Sequence, residues 1–197
     1  MNTLDHQPGP HSQSLHQVLY RHLMGKARGG LNEVFIAQML ANCIAGRGAL
    51  PHQMGLGDAV FVKMLNWHFP SFAPPHDISR NATLPNRNDE LTDVCKLLLD
   101  HRQNRSLSEL WVAEIIAGAC LASDHLWSDL GLFSRTHLTQ MMELNFPTLA
   151  ARNDKNMKWK KFLYKQLCEM EGLNLCRAPS CEACMDFADC FLDGDDL

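Results

Sequence analysis

Residues 31–45 read LNEVFIAQMLANCIA, and residues 107–121 read LSELWVAEIIAGACL. In both stretches apolar side chains recur every three to four positions, which is the period of an α-helix rather than the period of two that marks a strand. Each stretch therefore predicts one helix.

The same spacing occurs in five further stretches, and strand signals are weak along the whole chain. The predicted helices cover residues 15–24, 31–45, 58–67, 90–102, 107–121, 134–144 and 156–171. Ser106, with Glu109 three residues later, forms a capping-box pattern at the start of one helix. Ser134 precedes another helix in the same way, without an acidic residue at the third position. We predict an all-α fold.

The two opening stretches belong to a longer internal repeat. Residues 15–56, displaced by 76 positions without gaps, align with residues 91–132 and give ten identities. After one inserted residue, Phe69-Pro70 aligns with Phe146-Pro147. We predict a duplicated unit of about three helices whose halves pack face to face. Two similar amphipathic helix pairs without a common origin are the alternative.

Glycine and proline mark the ends of these predicted units. Gly55 and its counterpart Gly131 would stand at helix ends, and Pro70 and Pro147 would each stop the helix before it.

The chain divides into three segments on this basis. Residues 1–14 are polar and predict a disordered N-terminal tail. Residues 15–155 form the predicted helical scaffold, with units at 15–70 and 91–147 and a loop rich in proline and asparagine at 71–88. Residues 156–197 comprise a lysine-rich helix and a cysteine-rich metal-binding tail.

Composition narrows the class of protein. The chain has 197 residues, of which 46% are hydrophobic, and this is enough for one sizeable core. A net charge of −4 argues against a globally basic nucleic-acid binder. No run approaches the roughly 18 apolar residues of a membrane span, and the N-terminus lacks the features of a secretory signal. We expect a cytoplasmic protein that binds neither nucleic acid nor membrane.

The cysteines are concentrated near the carboxyl end. Five of the eight lie between Cys168 and Cys190, and four of these follow the spacing C-x4-C-x2-C-x5-C. Those four are Cys176, Cys181, Cys184 and Cys190. Four soft thiolates from one short segment match the ligands of a binuclear or cubane iron–sulfur cluster. The first three also share the C-x4-C-x2-C spacing of plant-type ferredoxins.

Structural zinc is the main chemical alternative, because four cysteines can also hold zinc. Such zinc sites usually use two C-x2-C pairs, whereas this segment has one, so we favour the cluster. Disulfides are disfavoured in a reducing compartment. Cys168 is either a fifth thiolate or, as we prefer, a buried residue on the apolar face of its helix. We expect Cys43, Cys95 and Cys120 in the core.

Charge is unevenly distributed around the cysteines. Residues 155–171 carry five lysines and two glutamates, for a net charge of +3, whereas residues 176–197 carry a net charge of −5. The basic helix would stabilise an anionic cluster or attract an oxyanion such as molybdate, with Lys158 and Lys161 as candidate contacts. An ordinary solvated helix face is the alternative. His125 is a candidate metal ligand, or a structural residue at a helix end.

With these residues in view, the chain resembles the NifQ family of nitrogen-fixation proteins. The resemblance rests on the cysteine spacing, on MKWKKFLY at residues 157–164 and on DHLWSDLGL at residues 124–132. It rests also on NFP at 145–147 and ARN at 151–153. These motifs cover most of residues 107–190, while the first half of the chain agrees mainly in general pattern.

The resemblance implies an iron–sulfur protein that holds molybdenum in a molybdenum–iron–sulfur cluster. It would donate the molybdenum, taken from molybdate or another source, to assembly of the iron–molybdenum cofactor of nitrogenase. The implied partners are a cofactor-assembly scaffold complex and the nitrogenase reductase, and the implied cluster ligands are the four cysteines of the motif.

No nucleotide-binding loop or other enzyme motif is present in the sequence, so we expect a carrier of metal rather than an enzyme. An electron-transfer iron–sulfur protein and a zinc-stapled helical interaction module are the alternatives.

Overall fold

A computed structural model of the chain describes residues 14–74 and 88–170. Within these two ranges the protein contains helices and no strand, which confirms the all-α prediction. The predicted N-terminal tail except Ser14, most of the loop at 71–88 and the cysteine-rich tail lie outside the described residues. None of the described helices is both long and apolar enough to cross a membrane.

Each of the seven predicted helices is present, with bounds that agree closely with the prediction. Three one-turn elements were not predicted: a 3-10 helix at His52–Gly55, and the helices α6 and α8. The α-helices are α1 (Leu15–Met24), α2 (Glu33–Ile44), α3 (Asp58–His68), α4 (Asn88–Asp100), α5 (Ser108–Cys120), α6 (Leu126–Asp129), α7 (Arg135–Asn145), α8 (Pro147–Ala150) and α9 (Trp159–Met170).

The helices α2 and α5 form the centre of the core. Ten of the twelve residues of α2 and eleven of the thirteen residues of α5 are buried. Helices that are apolar around most of their circumference need cover on every side. The cover comes from α1, which packs on α2, and from α4, which packs on α5; α9 in turn packs on α4.

The first turns of α2 and α5 each contain a buried glutamate with the same role. The Glu33 carboxylate accepts hydrogen bonds from the backbone N–H groups of Arg28 and Gly29, at 3.0 and 2.7 Å. The Glu109 carboxylate accepts them from the counterparts of these residues in the repeat, Asn104 and Arg105, at 2.7 and 2.8 Å. These bonds satisfy backbone donors in the turns that lead into the two helices.

The predicted capping box at Ser106 is confirmed. The backbone N–H of Ser106 donates to Glu109 Oε1 at 3.1 Å, and the Ser106 hydroxyl accepts from the backbone N–H of Ser108 at 3.2 Å. The second predicted cap is confirmed too, since the Ser134 hydroxyl accepts from the backbone N–H of His137.

A buried polar contact links the starts of α2 and α5 to the end of α7. Asn32 and Asn145 exchange side-chain amide hydrogen bonds of 2.7 and 2.8 Å, and Asn32 Nδ2 also donates to Ser108 Oγ at 2.9 Å. All three residues are at most 2% exposed. Satisfied polar groups inside a core favour one arrangement of the helices, because any other would leave them without partners.

The helix ends expected at glycine and proline are in place. Gly55 and Gly131 have φ angles of +83° and +72°, in the left-handed region that favours glycine. Helices α3 and α7 end at His68 and Asn145, each two positions before a proline. Helices α3 and α7 start and end at corresponding positions of the sequence repeat, once the inserted residue is counted.

The start of α9 differs from the prediction. The helix was expected from residue 156 but begins at Trp159. Asn156 has a φ of +51°, and the Asn153 side chain accepts the backbone N–H of Met157 at 2.8 Å. An asparagine that bonds the backbone ahead of it stabilises a turn instead of a helix.

We predict that Gly131→Ala destabilises the fold more than Gly55→Ala. Both changes force a methyl group into left-handed backbone, at a cost of about 1–2 kcal/mol. At Gly131 the new Cβ would also lie 2.9 Å from Asn42 Cβ, whereas at Gly55 its nearest contact is an ordinary 3.7 Å. We expect about 1–3 kcal/mol of additional loss at Gly131 in urea unfolding. Equal losses would contradict the close packing of Gly131 on α2.

Candidate metal centre and its helical support

The four predicted cluster ligands lie outside the described residues. The last described helix, α9, ends at Met170, six positions before Cys176. The structure therefore describes the helix that precedes the cysteine-rich segment in the chain. Among residues 14–74 and 88–170, no three His, Cys, Asp or Glu side chains form a group that could hold a metal ion.

Helix α9 is held by its apolar face. Trp159, Phe162 and Leu163 are at most 4% exposed, and the rings of Trp159 and Phe162 meet edge to face with centroids 5.6 Å apart. The Trp159 indole N–H donates to Thr139 Oγ1 on α7 at 3.0 Å. A buried indole needs such a partner for its N–H, so this bond fixes the first turn of α9 against α7.

A largely buried lysine attaches α9 to α6 and to the segment before it. Lys160 Nζ donates to the carbonyl oxygens of Ala122 and Asp124 at 2.9 and 2.7 Å and to Asp129 Oδ2 at 2.6 Å. The side chains of Lys160 and Asp129 are only 11% and 5% exposed. Asp129 Oδ2 also accepts the backbone N–H of Asp124, at 3.2 Å. The ammonium group thus gives all three of its protons to protein oxygens.

Burial raises the pKa of the Asp129 carboxyl, while its hydrogen bond to the Lys160 ammonium opposes that rise. The Lys160 ammonium is therefore the main group that favours the charged form of Asp129. This contact joins two of the sequence motifs identified above, the KWKK block and the DHLWSDLGL block. Sequence reasoning did not find it, because nothing in the sequence indicates which of several lysines is directed inward.

The structure changes the interpretation of the lysine-rich helix. Lys160 is neither on a solvated face nor available to a cluster. Lys158 lies immediately before α9, and its carbonyl accepts the backbone N–H of Phe162 at 2.9 Å. Lys161 is half-buried in the first turn of α9. Both lie at the amino-terminal end of α9, whereas the chain continues to Cys176 from the carboxyl-terminal end. Helix α9 therefore does not place them at the start of the cysteine segment.

His125 lies at a helix end, the position expected if it is a structural residue. It precedes α6, its backbone N–H donates to Asp124 Oδ1 at 2.7 Å, and its carbonyl accepts the backbone N–H of Asp129 at 2.9 Å. The neighbouring Asp124 carboxylate also accepts the Ser128 hydroxyl at 2.8 Å, and these hydrogen bonds lower the pKa of Asp124. These backbone contacts of His125 belong to the turn that begins α6.

The four described cysteines are reduced thiols outside any disulfide. Cys43 and Cys120 are 2% and 1% exposed, as predicted, whereas Cys95 is half-buried against the core. Burial raises the pKa of the Cys120 thiol to about 12 and also raises that of Cys95. Cys168 is 8% exposed on α9. Metal binding requires a thiolate, which burial disfavours at Cys95 and Cys120.

Comparison with known proteins identifies the family. The family model described as NifQ matches residues 35–192 of the chain. The chain belongs to the NifQ family. It is 43% identical to Protein NifQ of Azotobacter vinelandii, over 81% of this chain and 88% of that protein. It is 36% identical to Protein NifQ of Rhodobacter capsulatus, over 79% of this chain and 85% of that protein.

A third relative is Protein NifQ homolog of Sinorhizobium fredii, which is 37% identical over 81% of this chain and 70% of that protein. No solved structure matches the chain. The span of the NifQ family model includes all four cysteines of the C-x4-C-x2-C-x5-C motif, together with α2 to α9 except for the first residues of α2. The helical scaffold from residue 35 onward and the cysteine segment therefore lie within one family match.

We predict that Lys160→Met lowers the free energy of unfolding by about 3–5 kcal/mol, because it leaves the buried Asp129 carboxylate without its cation. Urea unfolding at neutral pH measures the loss. Lys165→Met is the matched control on the same helix. Its ion pair with Glu169 spans 3.9 Å between side chains that are 51% and 53% exposed, so we expect a loss below about 1 kcal/mol. Similar losses in both variants would contradict the role of Lys160.

Proposed function

We propose that this NifQ-family protein binds molybdenum in a molybdenum–iron–sulfur cluster and donates it to assembly of the iron–molybdenum cofactor of nitrogenase. Membership of the family supports a role in nitrogen fixation and in biosynthesis of that cofactor. The observation that carries the finer proposal is the four-cysteine motif, which lies inside the matched family span.

The donor set supports a cluster rather than bare molybdate. Sulfur ligands are soft and suit iron and reduced molybdenum, whereas molybdate is a hard, oxygen-rich anion. We propose that an iron–sulfur cluster forms first on Cys176, Cys181, Cys184 and Cys190 and then incorporates molybdenum. Cys190, nearest to the acidic carboxyl end, is the ligand that we propose to be labile during release.

We propose that the helical body has a structural role and that the tail binds the metal. The described cysteines are core or half-buried thiols, and the described residues contain no three-ligand group of their own. We propose that the metal chemistry belongs to the tail, and that Cys168 belongs to the helix that leads into it. We propose that the protein is a carrier and not an enzyme, and that it acts in the cytoplasm.

The body itself is best explained as two copies of one helical unit, residues 15–70 and 91–147. The buried glutamates Glu33 and Glu109, and the backbone groups that they accept, occupy matching positions of the sequence repeat. Helices α3 and α7 match in the same way after the inserted residue. We propose that the duplicated body presents the tail to a cofactor-assembly scaffold complex and to the nitrogenase reductase, while molybdate or another molybdenum compound supplies the metal.

We predict that Cys184→Ala loses most of its iron and sulfide, and with them its molybdenum, when the protein is purified without oxygen from cells supplied with both metals. One missing ligand leaves a corner of the cluster unheld. The control is Cys95→Ala, which removes a half-buried thiol of α4 and should keep the full content. Metal and sulfide analysis, with electron paramagnetic resonance, measures both. Full content in Cys184→Ala would exclude this motif as the cluster site.

A second candidate function, a zinc-stapled interaction module, uses the same four thiolates. The same metal analysis separates the two: one zinc per chain and a colourless protein would support the module and contradict the cluster.

A further inference from the structure

A cleft opens between α9 and the turn that precedes it. Its volume is about 430 Å³, and three cationic side chains line it, from Arg152, Lys155 and Lys165. The buried residues Phe162 and Gln166 form part of its wall. The Asn153 side chain stabilises this turn. Its amide oxygen accepts the backbone N–H of Met157 at 2.8 Å, and its amide nitrogen donates to the Met157 carbonyl at 3.1 Å. The cleft is therefore built on fixed backbone.

The side chains that line the cleft carry one more positive charge than negative charge. Two carboxylates, of Asp154 and Glu169, also line it. Glu169 accepts a 2.7 Å bond from Gln166 Nε2 and lies 3.9 Å from Lys165. Arg152 Nη1 donates across the cleft to the neutral amide oxygen of Gln166, at 3.4 Å. Three cations thus face two carboxylates, and the guanidinium bond in the cleft is long and goes to an uncharged acceptor.

The positive charge of Arg152 also acts on a residue outside the cleft. Burial lowers the pKa of the nearby His101, and the Arg152 charge lowers it further. His101 Nδ1 also forms a hydrogen bond with Thr148 Oγ1, at 2.8 Å. A guanidinium group has five donors in a planar fork, which suits the oxygens of an oxyanion, and lysines add mobile point charges.

We propose that this cleft binds a tetrahedral oxyanion, of which molybdate is the representative, through Arg152, Lys155 and Lys165. Naming molybdate rests on the proposed function, whereas an oxyanion site rests on the cleft alone. The two carboxylates limit the net charge, which favours reversible binding over tight retention. Lys165, the proposed contact on α9, lies five residues before the helix ends at Met170, and the chain continues from there to Cys176.

Isothermal titration calorimetry of the full chain with sodium molybdate, at low ionic strength and neutral pH, tests the site. We expect one saturable binding event that weakens as salt is added. Arg152→Gln should weaken binding by at least about tenfold, since it removes a charge-assisted contact. Lys63→Gln, which removes an exposed lysine of α3 outside the cleft, should change it by less than about twofold.

The absence of saturable binding, or equal affinity in Arg152→Gln and the parent protein, would overturn the proposal. A site that takes sulfate or phosphate but not molybdate in the same titration would support the oxyanion cleft and contradict the choice of molybdate as its ligand.

Two further variants keep this test separate from the test of the cluster. Cys184→Ala should still bind molybdate in the cleft, while Arg152→Gln should still carry iron and sulfide. Loss of molybdate binding in Cys184→Ala would place the anion at the cysteines and overturn the cleft. Binding that persists in a Cys184→Ala protein with full iron would leave the cleft standing and the cluster assignment wrong.

Discussion

One largely buried ammonium group fixes the last described helix to the rest of the protein. Lys160 gives its protons to two carbonyl oxygens and to the Asp129 carboxylate, and α9 lies where these acceptors are. A buried charge is tolerated only where such partners surround it, so α9 has one favourable position. The cysteine segment continues from this helix. Its point of departure from the scaffold is therefore set by Lys160, with the Trp159 indole bond to Thr139 in support.

The helices were predictable because apolar periodicity is local information. Each of the seven is present, and both serine caps formed as the sequence indicated. The start of α9 was predicted too early, since the left-handed Asn156 and the Asn153 turn outweigh the apolar pattern there. The short helix α6 was missed, because a single turn carries too little periodicity to detect.

Buried polar contacts were not predictable in the same way. Asn32 pairs with Asn145, and Lys160 with Asp129, across separations that only the tertiary structure decides. The cysteine motif is the opposite case: its spacing can be read from one short stretch of sequence, while its geometry lies outside the described chain. Sequence thus assigns the candidate chemistry, and the structure explains how the helical support for it is held.

The most direct test of this account is metal and sulfide analysis with electron paramagnetic resonance on the parent protein, made without oxygen in cells given ample iron and molybdenum. The expected result is a coloured protein that contains iron, inorganic sulfide and molybdenum, with a cluster signal. A pale protein that is properly folded yet free of both metals would contradict it.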